Sequence, residues 1–196
     1  MNILLDELPE AIEINGIEYA VNSDFRTGLG CILDMESSDL TDEEKCILLL
    51  RRIYGDVIPE DGETAIKLAV KFLDGGKEPP EEENPFADNT RLYSFEKDSA
   101  LIYAAFRQTH GIDLQKVDLH WWQFLALFQD LGADTGFCNL VNLRRRVNSG
   151  EATKEERKYA LKLGDAFEVV DPSEALTETD NENVTLFELL SNGERL

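Results

Sequence analysis

The residues best suited to chemistry are few: His110 and His120, Cys31, Cys46 and Cys138, and a large stock of carboxylates. The two histidines stand ten apart on different predicted helices, with no Cys or acidic residue beside them at metal-ligand spacing. A histidine at a helix end, and one beside two tryptophans, need no catalytic role. Gly28-Leu29-Gly30 lacks the third glycine of a dinucleotide fingerprint and lies in helical rather than strand context. No GxSxG, HExxH or DxDxDG pattern occurs. The cysteines are odd in number, have no CxxC spacing and sit inside apolar helical runs, so they read as buried free thiols of a reducing compartment. Glu81–Glu83 offers carboxylates without ligand geometry. In so acidic a chain, paired carboxylates for acid–base work look the same as a solvated face. The expectation is a protein with no catalytic residues, no metal site and no cofactor, hence not an enzyme.

Charge narrows the partners. The 196 residues carry 40 acidic and 19 basic groups, a formal net of −21. That balance opposes a nucleic-acid phosphate backbone and an anionic membrane surface, and it favours solubility. Residues 1–106 hold 24 acidic and 9 basic groups, residues 107–163 hold 7 and 9, and residues 164–196 hold 9 and 1. The basic cluster Arg144, Arg145, Arg146, Lys154, Arg157, Lys158 and Lys162 reads as a solvated helix face, with a site for an acidic partner as the alternative. MNILLDELPE lacks the basic start of a signal peptide, and no apolar run approaches the ~20 residues of a membrane span. The expected location is the cytoplasm.

The elements that must position all this are mostly helical. Residues 11–21 read as a β-hairpin turned by Asn15-Gly16, with its apolar face laid on helices. Phe25, Leu29, Ile32 and Leu33 mark a first helix, in which Gly28 and Gly30 signal close helix contact or an irregular start. Thr41 and Glu44 form a capping box opening a second helix that runs to Tyr54. Ala65, Leu68, Ala69 and Phe72 stripe a third helix, ended by Gly75-Gly76. Residues 75–92 are an acidic, proline-rich linker between a hairpin-plus-helices part (1–74) and a helical region (93–170), which form one domain or two. Ser94 is a candidate cap for a fourth helix, where Asp98, Leu101, Ile102, Ala105 and Phe106 share a face up to Gly111. The fifth, Leu119–Leu131, is apolar around most of its circumference, so it is surrounded by others or partly reserved for a partner. A sixth spans about Gly136–Val147, with Phe137, Leu140 and Val141 inward. A seventh, boxed by Thr153 and Glu156, carries Tyr159, Ala160, Leu163 and Phe167 on one side. Residues 171–196 are an acidic flexible tail, broken by the apolar island Val184–Leu190. The fold class is mainly α: about seven helices in a bundle with an N-terminal hairpin packed on it.

Tyr93-Ser94-Phe95-Glu96-Lys97-Asp98, Ile102-Tyr103, Phe106, Gly111-Ile112-Asp113-Leu114 and Leu119-His120-Trp121-Trp122-Gln123-Phe124 together resemble the bacteriophage gene product fifteen family of long-tailed phages. The likeness runs from the hairpin to about residue 168. Its distinctive parts are Leu-His-Trp-Trp and the Gly-Ile-Asp-Leu before it. The family brings no catalytic motif. Its members are encoded in phage or prophage tail modules just upstream of the tape measure gene. The resemblance therefore implies a cytoplasmic tail assembly chaperone, absent from the mature virion, that keeps the tape measure protein soluble while tube subunits assemble. The tail tube protein and a second copy of the chain are further partners to consider. The candidate client-binding residues are Trp121, Trp122, Phe124 and Phe128 on the fifth helix and Leu186, Leu189 and Leu190 on the tail island. The rival readings are a structural tail component, such as a tube or connector subunit, and an acidic regulatory binding protein.

Overall fold

The computed structural model describes residues 2–77 and 90–169. Most of the 75–92 stretch lies outside these residues, as does all of 171–196 with Leu186, Leu189 and Leu190. The described residues group into two units: 2–77 with Asp118–Ala126, and 90–117 with 127–169.

In the first unit, β1 (Ala11–Ile14) and β2 (Ile17–Ala20) pair antiparallel, Ile14 opposite Ile17 and Ile12 opposite Tyr19. Asn15 and Gly16 take φ of 51° and 79°, the left-handed pair that a type I′ turn requires. A two-stranded ribbon is marginal alone. Here Ile14 and Val21 are buried, and the Tyr19 ring meets Tyr54 edge to face. Asn15 Nδ2 also donates to Asp61 at 3.1 Å.

Three helices follow, α1 (Phe25–Glu36), α2 (Asp42–Tyr54) and α3 (Gly62–Leu73), each packed on the next. The capping box of α2 forms as expected: Thr41 Oγ1 accepts from the Glu44 N–H, and the Glu44 carboxylate accepts from the Thr41 N–H. Tyr54 donates its hydroxyl to the Ala65 carbonyl at 2.9 Å, tying α2 to α3.

The buried face of α1 differs from the expected stripe. It is Phe25, Gly28, Cys31 and Met35, while Leu33 is exposed. The helix turns this way because Gly28 has no side chain: a Cβ there would stand 2.3 Å from ring carbons of Trp121. Gly30 makes room in the same manner for the Arg52 guanidinium, which pairs with Asp34. Both glycines therefore serve close contact, and their cost in helix propensity is recovered in packing.

Residues 118–126 complete this unit. A short antiparallel bridge joins Asp24 to His120, with Phe25 N–H donating to the Leu119 carbonyl and Trp121 N–H to the Ser23 carbonyl. It launches α5 (Trp121–Gln129), whose residues from Leu127 on belong to the second unit.

The second unit contains α4 (Ser99–His110), α6 (Gly136–Asn148) and α7 (Lys154–Leu163), followed by a 3₁₀ turn, Gly164–Ala166. α6 packs against both α4 and α7. Ile102, Ala105, Phe106, Phe137, Leu143 and Ala160 are buried, and Tyr93, Phe95, Phe128 and Phe137 form a cluster of tilted and edge-on rings. Such pairs add to stability beyond their area.

Two details correct the sequence expectations. Ser94 does not cap α4. Its hydroxyl accepts from the N–H groups of Glu96 and Lys97, closing a turn ahead of the helix, and Asp98 occupies the cap position. On α7 the capping box is present, but of the stripe Tyr159, Ala160, Leu163 and Phe167 only Ala160 is buried. The helix stops at Leu163, so Phe167 lies past the 3₁₀ turn and the remaining apolar side chains edge a groove.

Candidate interaction surface

The aromatic residues singled out on α5 are largely engaged within their own units. Trp121 and Phe124 are fully buried, and the Phe124 ring stacks on both Trp121 and Phe25. The Trp121 indole N–H donates to the Leu73 carbonyl at 2.8 Å, and that of Trp122 to the Phe72 carbonyl at 2.7 Å. Two indoles thus reach the last carbonyls of α3, that of Leu73 and that of Phe72, the second of which also accepts from the Gly75 N–H at 3.1 Å. Trp122 and Phe128 are half-buried, against Phe72 and within the second unit's ring cluster respectively. His120 accepts the Trp122 N–H at Nδ1, so Nε2 carries the proton and donates to the Pro9 carbonyl at 3.1 Å. His110 Nε2 likewise meets the Leu127 carbonyl at 2.9 Å. Both imidazoles are employed in holding backbone. Among the described residues, no group of His, Cys, Asp or Glu is placed to hold a metal ion.

The second unit also carries a surface groove. A groove of about 1350 Å³ runs between α4, α6 and α7, with Leu101, Leu140, Leu143, Tyr159 and Leu163 as its apolar lining. Tyr159 is 57% exposed and Leu101 37%, values that leave apolar surface facing water. Lys97, Arg146, Glu156, Asp165 and Glu168 add a mixed-charge border.

Beneath the groove lies a buried ion pair that sequence reasoning missed. Arg144, expected on a solvated basic face, is 1% exposed. Its guanidinium uses all five N–H groups. Two meet the Asp98 carboxylate at 2.6 and 3.0 Å, and three meet the carbonyls of Leu92, Ala166 and Phe167 at 3.1, 3.0 and 2.8 Å. Asp98 also accepts from the Ser94 N–H at 3.0 Å, so its carboxylate is turned away from the start of α4 and makes no helix cap. One buried cation therefore ties the segment before α4, α6 itself and the segment after α7 into a single frame. A signal existed. Asp98 falls on the apolar face of α4, and Arg144 stands seven residues after Phe137, on the inward stripe of α6. An acid and a base at core positions of neighbouring helices are best explained by each other.

The described residues thus define a mainly α protein with an apolar-lined groove on a strongly acidic chain. The chain belongs to the family described as Bacteriophage Gp15 protein, whose model matches residues 4–169. No curated protein and no solved structure matches it. Among the described residues no helix is long and apolar enough to cross a membrane.

Proposed function

We propose that this phage protein is a non-catalytic tail assembly chaperone that keeps the tape measure protein soluble while tail tube subunits assemble around it. The observation that carries the reading is the apolar groove between α4, α6 and α7 on a chain of net charge −21. A long helical client exposes apolar stripes that aggregate when unpaired. A groove lined by leucines receives one such stripe, as helix-in-groove recognition does elsewhere. The surplus negative charge then keeps the loaded complexes apart. Trp122 and Phe128, each half-buried in its own unit, are secondary contact residues in this reading. Trp121 and Phe124 act indirectly, by shaping the first unit. The work is done in the host cytoplasm, and the protein is absent from the finished particle.

A structural tail subunit that builds rings through sheets is less well supported, because the hairpin is the only sheet among the described residues. Co-expression with the tape measure protein encoded beside it tests the proposal. The soluble fraction of that protein should rise severalfold, and Leu140→Glu with Leu163→Glu should abolish the gain. Solubility that does not change on co-expression refutes the chaperone role.

A further inference from the structure

His120 holds three parts of the first unit at once. Its own N–H donates to Gln123 Oε1 at 3.2 Å, and its Nδ1 accepts the Trp122 N–H at 3.0 Å. These two bonds open α5 as a reciprocal cap, with an imidazole in the place that a Ser or Asp side chain usually takes. Nε2 reaches across to the Pro9 carbonyl at 3.1 Å, and the ring stands edge-on to Phe72 of α3 and to Trp122. Among the described residues, the Pro9 bond is the only hydrogen bond between residues 2–9 and the rest of the unit. The other bonds of this arm close its own turn at Asn2. The arm carries Leu4 and Leu5, both almost fully exposed. We propose that His120 is a proton-operated latch: the neutral imidazole caps α5 and fixes the N-terminal arm, and protonation undoes both.

The chemistry follows from counting lone pairs. A neutral imidazole has one donor and one acceptor, and both are in use here. The imidazolium has two donors and no acceptor. Protonated, the ring would set Nδ1–H against the Trp122 N–H at 3.0 Å, donor facing donor. It would also put a full positive charge at the start of α5, where the helix dipole is already positive. The carboxylates near the ring act the other way. Glu7, Glu10 and Gln123 line a hollow beside it. Both glutamates are exposed, so water and salt weaken their pull, whereas the lost acceptor is at contact distance. Asp24, bridged to His120 through the backbone, has its carboxylate on the Arg26 N–H and guanidinium. Around the remaining contacts, Asp118 precedes α5, and Lys71 and Asp74 flank Phe72 and Leu73. Histidine is the side chain whose ordinary titration falls between about pH 5 and 8. Stability supplied by the neutral ring is therefore complete above about pH 6.5, the ordinary value for a histidine in an unfolded chain, and is lost as pH falls.

Urea unfolding of the full chain, followed by tryptophan fluorescence, tests the latch, since both indoles lie in the first unit with His120. Between about pH 7.5 and about pH 5.5 the midpoint should fall by at least about 0.5 M. His120→Asn keeps a side-chain oxygen for the Trp122 N–H and has nothing to protonate, so its midpoint should move by less than about 0.1 M over that interval. His110→Asn, in the second unit, should leave the fall in place. A midpoint that does not fall, a fall that persists in His120→Asn, or one that disappears in His110→Asn overturns the proposal. Nitrogen-15 spectra of the unaltered protein give a reading that needs no substitution. As the His120 ring titrates, the amide signals of Trp122 and of Glu10, whose peptide carries the Pro9 carbonyl, should shift with it. Residues 3–8 should gain fast motion over the same interval. Amides that stay fixed while the ring titrates also overturn the proposal.

Discussion

Replacing Asp98 by Asn keeps the side chain's shape and removes its charge, which isolates the part of the second unit that matters most. The substitution leaves the Arg144 cation buried on its three carbonyls, with an amide NH₂ turned toward a guanidinium that can only donate. Breaking a buried pair by removing one partner costs about 3–5 kcal/mol, a large share of the ~5–15 kcal/mol that holds a domain folded. Arg144→Met should cost a similar amount. It strands the carbonyls of Leu92, Ala166 and Phe167 and leaves the Asp98 carboxylate with only the Ser94 N–H. The double variant should lose less than the sum of the two by about 1–3 kcal/mol, because neither charge is then uncompensated. Denaturant unfolding read by two probes measures this. Trp121 and Trp122 both belong to the first unit, so fluorescence follows that unit, whereas circular dichroism follows the helices of both. The substitutions should move the dichroism transition, and added salt should not reproduce the effect, since a buried pair is little screened. A loss below about 1 kcal/mol for Asp98→Asn, or strict additivity in the double variant, would show that the pair is solvated and the reasoning wrong.

Three further outcomes are expected. Gly28→Ala should destabilise the first unit by about 1–3 kcal/mol despite alanine's better helix propensity, since its methyl would enter the Trp121 ring. Gly62→Ala, with open space around it, should be neutral or stabilising by up to about 1 kcal/mol, and thermal melts that rank the two alike would contradict this. Burial raises the Cys31 thiol to about 12, so in the native protein at pH 8 iodoacetamide should modify Cys46 and Cys138 while sparing Cys31; peptide mass spectrometry showing equal labelling counts against that environment. Backbone N–H bonds from Thr41 and Thr153 hold the Glu44 and Glu156 carboxyls below their usual range. Their stabilisation is complete above the unfolded carboxyl value of about 4.3 and is lost as pH falls through the lower folded values. Glu156→Gln, which keeps an acceptor for the Thr153 N–H, should flatten part of the acid-side fall in the denaturation midpoint, and an unchanged pH profile would count against the box.

Local signals were read well where they act over a few residues. Asn15-Gly16 turns the hairpin, Thr41 with Glu44 and Thr153 with Glu156 box their helices, and Gly111 ends α4, because each of these devices is complete within one turn of chain. Reading failed where a distant residue decides. The apolar periodicity of α1 points to Leu29, Ile32 and Leu33, but the gap above Gly28 draws in an indole from Trp121 and moves the buried face to Cys31 and Met35. Arg144 looked like one more cation in a basic run because charge was counted along the chain rather than by helical face. The α7 stripe was correctly apolar, yet periodicity says which side chains share a face and not whether a neighbour covers it. The groove could not have been found by that route, since it depends on how α4, α6 and α7 are set beside one another.

The two indole bonds to the end of α3 also govern the order of events during synthesis. The donors follow their carbonyl acceptors by 48 and 50 residues. At about 5–20 residues per second, a ribosome takes roughly 2–10 s to travel that far. For that interval α1, α2 and α3 exist without the ring that fills the hollow over Gly28 and without the two indole donors at the end of α3. The N-terminal part of this protein is thus translated first and finished late, and nascent chains halted before residue 121 should remain protease-sensitive.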